Sequence, residues 1–212
     1  MRVTKKIKEE QLRILEETYR GAKPELIFSN AFELLIAVIL SAQCTDKRVN
    51  VTTARLFAKA ATPEAVIGLG LAGLEDEIRD CGLFRNKAKN IMASCHLLCE
   101  KYGGQVPDSF EALESLPGVG RKTANVVMSV AFHHPAIAVD THVFRIANRL
   151  KLAVGKTPLE VENGLKKTVP MEKWSDAHHW LIWHGRKICK ARKPLCADCP
   201  LAAVCPSFSP TE

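Results

Sequence analysis

No run of about 18 apolar residues occurs anywhere in the 212-residue sequence, so nothing in it reads as a membrane-spanning helix. The start of the chain, Arg2 to Glu17, is basic and glutamate-containing and lacks the apolar core of a signal peptide; a cytoplasmic protein is expected. Alternation of apolar and polar residues, the mark of a half-buried strand, is missing too. That excludes sheet and barrel architectures and leaves an all-α class. A nucleotide-binding P-loop is likewise excluded. It requires a strand followed by Gly-Lys-Ser/Thr, whereas Glu111 to Leu116 reads as helix and Arg121 separates Gly120 from Lys122. Disorder is confined to the ends, because 47% of the residues are apolar and only 25% charged.

What the sequence does contain is one helix after another. Lys5 to Arg20 is amphipathic and is stopped by Gly21 and Pro24. Asn30-Ala-Phe-Glu33 has the form of a capping box and opens an unusually apolar helix through Leu40, expected at the centre of a core. Further helices are predicted over 46–60, 62–69, 71–81, 86–102, 109–115, 122–132, 141–150, 158–168 and 173–185, each bounded by Gly, Pro or a capping residue.

Charge and cysteine are both unevenly distributed. The formal net charge is +7, and residues 141–193 hold 12 Lys or Arg against 4 acids, so the remainder of the chain sums to −1. Localised positive charge suits a polyphosphate partner, since each neutralised phosphate releases counterions; a merely solvated basic face is the alternative. Four of the eight cysteines, at 44, 81, 95 and 99, lie in apolar helical sequence, where cysteine serves as a small core residue. Cys189, Cys196, Cys199 and Cys205 instead crowd the tail as C-x6-C-x2-C-x5-C. Such a cluster of thiols in a cytoplasmic chain points to metal rather than disulfides. A single C-x2-C pair is unusual for structural zinc, which brings an iron-sulfur cluster into consideration, and spacing does not choose between them. The dispersed histidines at 133, 134, 178, 179 and 184 lack convergent spacing and are read as packing or capping residues.

One turn joins these features to chemistry. In Leu116-Pro-Gly-Val-Gly-Arg-Lys-Thr123, Gly118 and Gly120 can take positive φ and let a ligand approach the backbone, while the first amides of the following helix point outward. The result is an anion site with Lys122 beside it, or else a plain interhelical turn with a solvated lysine. Helix, Leu-Pro-Gly-Val-Gly hairpin and helix together form the helix-hairpin-helix pattern, which binds DNA phosphate without reading bases. Downstream, Asp140 closes the apolar run Ala136 to Val139 at a helix N-cap, where capping and catalysis are both open to it.

These residues resemble the endonuclease III family of DNA glycosylases with lyase activity. The likeness spans Ala31 to Val38, Leu40-Ser-Ala-Gln43, Leu116 to Val127, Val139-Asp-Thr-His142, His179-Trp-Leu-Ile182, His184-Gly-Arg186 and the four tail cysteines. It implies a two-domain helix-hairpin-helix glycosylase fold: a six-helix domain over 24–134, and a cluster domain formed by 1–23 with 135–212. One 4Fe-4S cluster on Cys189, Cys196, Cys199 and Cys205 is implied, as is a damaged double-stranded DNA partner with the lesion flipped out. Residue by residue, Lys122 becomes the amine that attacks C1′ and forms a Schiff base. Partial burial and the helix end favour its unprotonated form. Asp140 becomes the acid that stabilises charge on the sugar. Gln43 and Leu83 fill the gap left by the flipped base; without the resemblance Leu83 would be read as core. Gly118 and Gly120 bind phosphate, and Arg186, Lys187, Lys190, Arg192 and Lys193 track it along the DNA. A monomeric bacterial protein, cytoplasmic and associated with the nucleoid through DNA, is expected to remove oxidised pyrimidines and cleave 3′ to the abasic site. Two other readings are weighed. A related adenine-mismatch glycosylase normally lacks the hairpin lysine and carries a further C-terminal domain, and a noncatalytic DNA-binding module is disfavoured by Lys122 with Asp140.

Overall fold

The computed structural model describes residues 3–209; the ends of the predicted cluster domain, residues 1–2 and 210–212, lie outside the described residues. Among the described residues the chain is helical without strands. In order, the α-helices are α1 (Lys5–Thr18), α2 (Ala31–Ser41), α3 (Asp46–Phe57), α4 (Pro63–Ile78), α5 (Phe84–Tyr102), α6 (Phe110–Glu114), α7 (Arg121–Val130), α8 (Thr141–Leu150), α9 (Pro158–Thr168) and α10 (Trp174–Lys187). Short 3-10 turns at Met171–Lys173 and Ala202–Val204 complete the set. None of the helices is long and apolar enough to cross a membrane. The chain divides into two compact units: Pro24–His134, and the N-terminal segment through Lys23 together with the chain from Pro135 onward.

In the unit Pro24–His134, α2 is the central rod. Every residue from Phe32 to Leu40 is buried, as expected of a helix that is apolar on all sides. Its start is fixed by the predicted capping pair: Asn30 Oδ1 accepts from the Glu33 amide at 2.9 Å, and Glu33 Oε2 accepts from the Ser29 amide at 2.6 Å. The return arm of the box thus reaches one residue beyond the cap. Helices α3, α5 and α7 pack on this rod, and α4 packs along α5. The two helices that the sequence suggests, over 62–69 and 71–81, meet at Gly70, whose φ of 68° and ψ of 168° are not helical, so α4 is two helical segments joined at a break where the sequence places one. Helix α5 begins at Phe84, two residues earlier than expected, because Leu83 itself adopts the left-handed conformation that turns the chain into the helix.

In the other unit, α1 packs on α10, α10 on α8 and α8 on α9. The core formed by Leu12, Leu15, Val143, Ile146, Leu165, Trp180, Leu181 and Leu201 draws on all four helices and on the cysteine tail. Buried Gln11 stitches the N-terminal helix into place: its Nε2 donates to Leu150 O at 3.1 Å and to Val204 O at 2.9 Å. One amide thereby satisfies the end of α8 and the tail together.

Candidate functional site

The hairpin is built from its glycine outward. Gly118 has φ 80°, and a Cβ there would come within 2.9 Å of the Asn90 side chain, so both backbone conformation and space demand glycine. The turn is closed by Val119 N donating to Leu116 O at 3.0 Å and is tied to α5 by Ser94 Oγ donating to Pro117 O at 2.7 Å. Gly120 departs from expectation. Its φ is −97°, within reach of any residue, and a Cβ would meet nothing within 4 Å. What glycine provides at 120 is an open approach: it is the N-cap of α7 without a side-chain cap, leaving the first amides of that helix facing outward. Lys122 occupies the first turn of α7 and is exposed, not partly buried as the sequence suggests. Within its own helix it is the face of α7 carrying Ala124, Val127 and Met128 that is buried, and Lys122 lies off that face.

The same unit presents a second pair of turns. Gln43 is exposed with φ 54°, and Leu83 is 60% exposed with φ 59°. Their turns adjoin, since a Cβ on Gly82 would lie 3.5 Å from Gln43 O. A left-handed backbone costs a non-glycine residue about 1–2 kcal/mol. Of the five non-glycine residues with positive φ among the described residues, three are Gln43, Leu83 and Lys193, each assigned to DNA from sequence. The other two are His133 and Lys151, the latter the left-handed C-cap of α8.

In the other unit Asp140 is half-buried and caps α8, its Oδ1 accepting from the Val143 amide at 2.7 Å. The buried segment Ala136–Val139 leads into it and is pinned by the His178 ring, whose Nδ1 lies 2.8 Å from Ala138 O.

Cys189, Cys196, Cys199 and Cys205 all line one cavity of about 230 Å³, with Arg149, His184 and Ile188 in its wall. Among the described residues no trio of His, Cys, Asp and Glu donors closes on a single ion, as a tetrahedral zinc site would require. Four thiols round a shared space of this size suit a polynuclear cluster instead. Burial pushes the Cys199 and Cys205 thiols up, and the neighbouring thiols add to it. Ligation to cations would remove that mutual repulsion. Two residues that sequence reasoning assigned no role, Arg145 and Arg149, support the site together with His184, which it read as a packing or capping residue. Arg149 Nη1 donates to Cys189 Sγ at 3.3 Å and to Lys190 O at 2.7 Å, and Arg145 Nε donates to Cys189 O at 3.2 Å. His184 Nε2 lies 3.8 Å from Cys199 Sγ, while its Nδ1 meets Tyr19 Oη at 3.0 Å. Burial holds the His184 pKa down at about 4, keeping the ring neutral, and raises that of Tyr19 to about 12, with charge on Cys199 and Cys189 contributing. The only hint of the two arginines in sequence is their placement on α8 one turn apart. The loop they hold carries exposed Lys190, Arg192 and Lys193, and the last turn of α10 adds exposed Lys187 and half-buried Arg186.

A glycine hairpin opening onto helix amides without a side-chain cap, paired left-handed turns and a four-thiol centre on an all-helical frame are the features of the helix-hairpin-helix class. Residues 36–171 match the family described as HhH-GPD superfamily base excision DNA repair protein, and residues 189–205 match the iron-sulfur binding domain of endonuclease III. The chain belongs to the endonuclease III family within that superfamily, and its cofactor is a 4Fe-4S cluster. It is 54% identical to endonuclease III of Haemophilus influenzae over 97% of this chain and 96% of that protein. With endonuclease III of Escherichia coli K12 it shares 52% identity over 90% of each. A solved structure of a trapped endonuclease III–DNA covalent intermediate superposes with a TM-score of 0.94 at 50% identity, covering 98% of both chains. A thermostable thymine-DNA glycosylase has the same fold, with a TM-score of 0.87 at 23% identity over 96% of this chain and 97% of that one.

Proposed function

We infer that the chain is a DNA N-glycosylase with abasic-site lyase activity, removing oxidised pyrimidines from duplex DNA and cleaving the strand 3′ to the lesion. The observation that carries this reading is Lys122 in the first turn of α7, directly after the Gly118 turn and the uncapped helix amides. Amides that hold a backbone phosphate bring the neighbouring deoxyribose within reach of the amine. The Lys122 Nζ lone pair forms the bond to C1′ as the glycosidic bond breaks toward the base, which leaves with its electron pair. Opening of the sugar ring gives the protonated imine. Loss of a proton from C2′ then expels the 3′ phosphate, and water releases the lysine. Asp140 is assigned the complementary role of stabilising positive charge on the sugar and accepting protons in the lyase steps.

Gln43 and Leu83 occupy the space vacated by the extruded nucleotide. An exposed leucine held in a left-handed turn is costly in free protein and useful only where a stacked base pair must be replaced. Cys189, Cys196, Cys199 and Cys205 hold the cluster. When bound, it cross-links the tail; the protein's own Arg145 and Arg149 then keep the loop of Lys190 to Lys193 in place for phosphate contacts, joined by Arg186 from the end of α10. Action as a monomer, cytoplasmic and associated with the nucleoid through DNA, belongs to the same proposal, and the bacterial relatives support the bacterial setting.

The direct test is a duplex bearing thymine glycol incubated without added amine. The reading predicts release of the base together with strand scission to a 3′ unsaturated aldehyde. Base release that leaves an uncleaved abasic strand would assign the chain to a monofunctional glycosylase instead.

A further inference from the structure

Lys87 is the most deeply buried lysine of its unit, only 5% exposed, in the first turn of α5. Its Nζ donates to Leu40 O at 2.8 Å and to Ala42 O at 2.7 Å. These are carbonyls at the C-terminal end of α2, where helical groups lack internal partners and the negative end of the helix attracts a cation. Ala42 immediately precedes Gln43. The backbone amide of the same lysine donates to Leu83 O at 3.1 Å. One residue therefore bonds on both sides: its side chain to the carbonyls entering the Gln43 turn, its main chain to the carbonyl of the Leu83 turn. Among the described residues no carboxylate pairs with the ammonium, and burial pulls its pKa down while the Cys81 and Cys44 thiols oppose the shift. Burying a charge without an ion-pair partner is unfavourable, and it persists only where the bonds it makes are needed.

We propose that Lys87 is a positioning residue for base extrusion, its buried ammonium clamping the Gln43 and Leu83 turns to one another so that both side chains enter the duplex at fixed separation. This rests on the assignment of Gln43 and Leu83 as the residues that fill the vacated stack. Lys87 touches no substrate atom; it acts through two left-handed turns that would otherwise relax. The Leu83 turn has no side-chain cap of its own, since Leu83 is the N-cap of α5 and makes no such bond. The ammonium supplies the rigidity that local sequence does not.

The experiment uses the cluster-loaded, full-length protein. Lys87→Met keeps the apolar stem and removes both donors. Two substrates are compared: a thymine-glycol duplex, in which the stack must be refilled, and a single-stranded abasic oligonucleotide, in which there is no stack to refill. Base release from the duplex in single turnover is expected to fall about tenfold or more, the scale of a lost charge-assisted hydrogen bond, while cleavage of the single strand stays within about twofold. In a background already carrying Gln43→Ala and Leu83→Ala, Lys87→Met is expected to add no further loss on the duplex. Equal losses on both substrates, an unchanged duplex rate, or a full additional loss in that background would each overturn the proposal. If Gln43→Ala with Leu83→Ala leaves duplex excision unaffected, the assignment of those two residues falls first and the role of Lys87 with it. Should Lys87→Met not fold, Lys87→Gln, which keeps a neutral N–H donor group but loses the charge, is read by the same comparison.

Discussion

Gly118 and Gly120 look interchangeable in a Gly-x-Gly motif, yet they do different things. Gly118 is irreplaceable for two separate reasons, its φ of 80° and the Asn90 side chain at 2.9 Å from any Cβ. Gly118→Ala is therefore expected to destabilise the protein by about 1–2 kcal/mol in denaturant unfolding and to weaken duplex binding in a fluorescence titration. Gly120→Ala, with open space and an ordinary φ, is expected to leave stability within about 0.5 kcal/mol, so that any loss of affinity there reports on phosphate access alone. Lys193 is exposed on the loop held by Arg149. Its replacement by Ala should lower affinity evenly across sequences and reduce the slope of log affinity against log salt by about 1.

At the scale of single elements, an observed cap and a proposed catalyst coincide at Asp140, at the start of α8. Asn caps a helix as well as Asp does, so Asp140→Asn keeps the bond to the Val143 amide while removing the charge. Its unfolding free energy should stay within about 0.5 kcal/mol of the parent, whereas base release should fall by roughly 10²–10⁴. Parallel loss of stability and activity would mean that Asp140 does no more than cap. Helix α2 shows how well a strong pattern reads: an unbroken apolar run became an all-round buried helix, and Leu35→Ala in it is expected to cost about 2–5 kcal/mol. Weaker patterns read less well. The break at Gly70 was legible because a glycine interrupts the apolar pattern, whereas the early start of α5 depends on a backbone conformation, φ 59° at Leu83, that side-chain periodicity does not encode. For the same reason Gln43 and Leu83 are recognisable as site residues only through family resemblance; an exposed leucine in a strained turn has no periodic signature.

Across the whole molecule the four clustered cysteines, the concentrated basic charge and the all-helical class were legible because each is a property of composition and spacing. The supporting shell was not. Arg145, Arg149, Lys87 and His184 act through contacts 15 to 47 residues away in sequence, and a single basic residue on a helix carries no mark of the partner it will find. Global stability should also depend on pH through His179, which burial holds below its ordinary value of 6.5 although Asp176 opposes the shift. The unfolded chain takes up that proton more readily than the folded one. Stability is therefore complete above the ordinary histidine range and is lost as pH falls from 6.5 toward the lowered folded-state value. The thermal midpoint should decline between neutral and mildly acidic pH, and His179→Gln should lessen that decline, with His184, held down at about 4 by burial, accounting for a further part.

One amine carries the proposed chemistry, and borohydride reduction in the presence of thymine-glycol duplex tests its role. The imine on Lys122 should be trapped as a covalent protein–DNA adduct that survives denaturing electrophoresis, and peptide mapping should place the DNA on Lys122. Lys122→Ala should bind the duplex yet give no adduct; the same adduct yield from that variant would contradict the assignment outright.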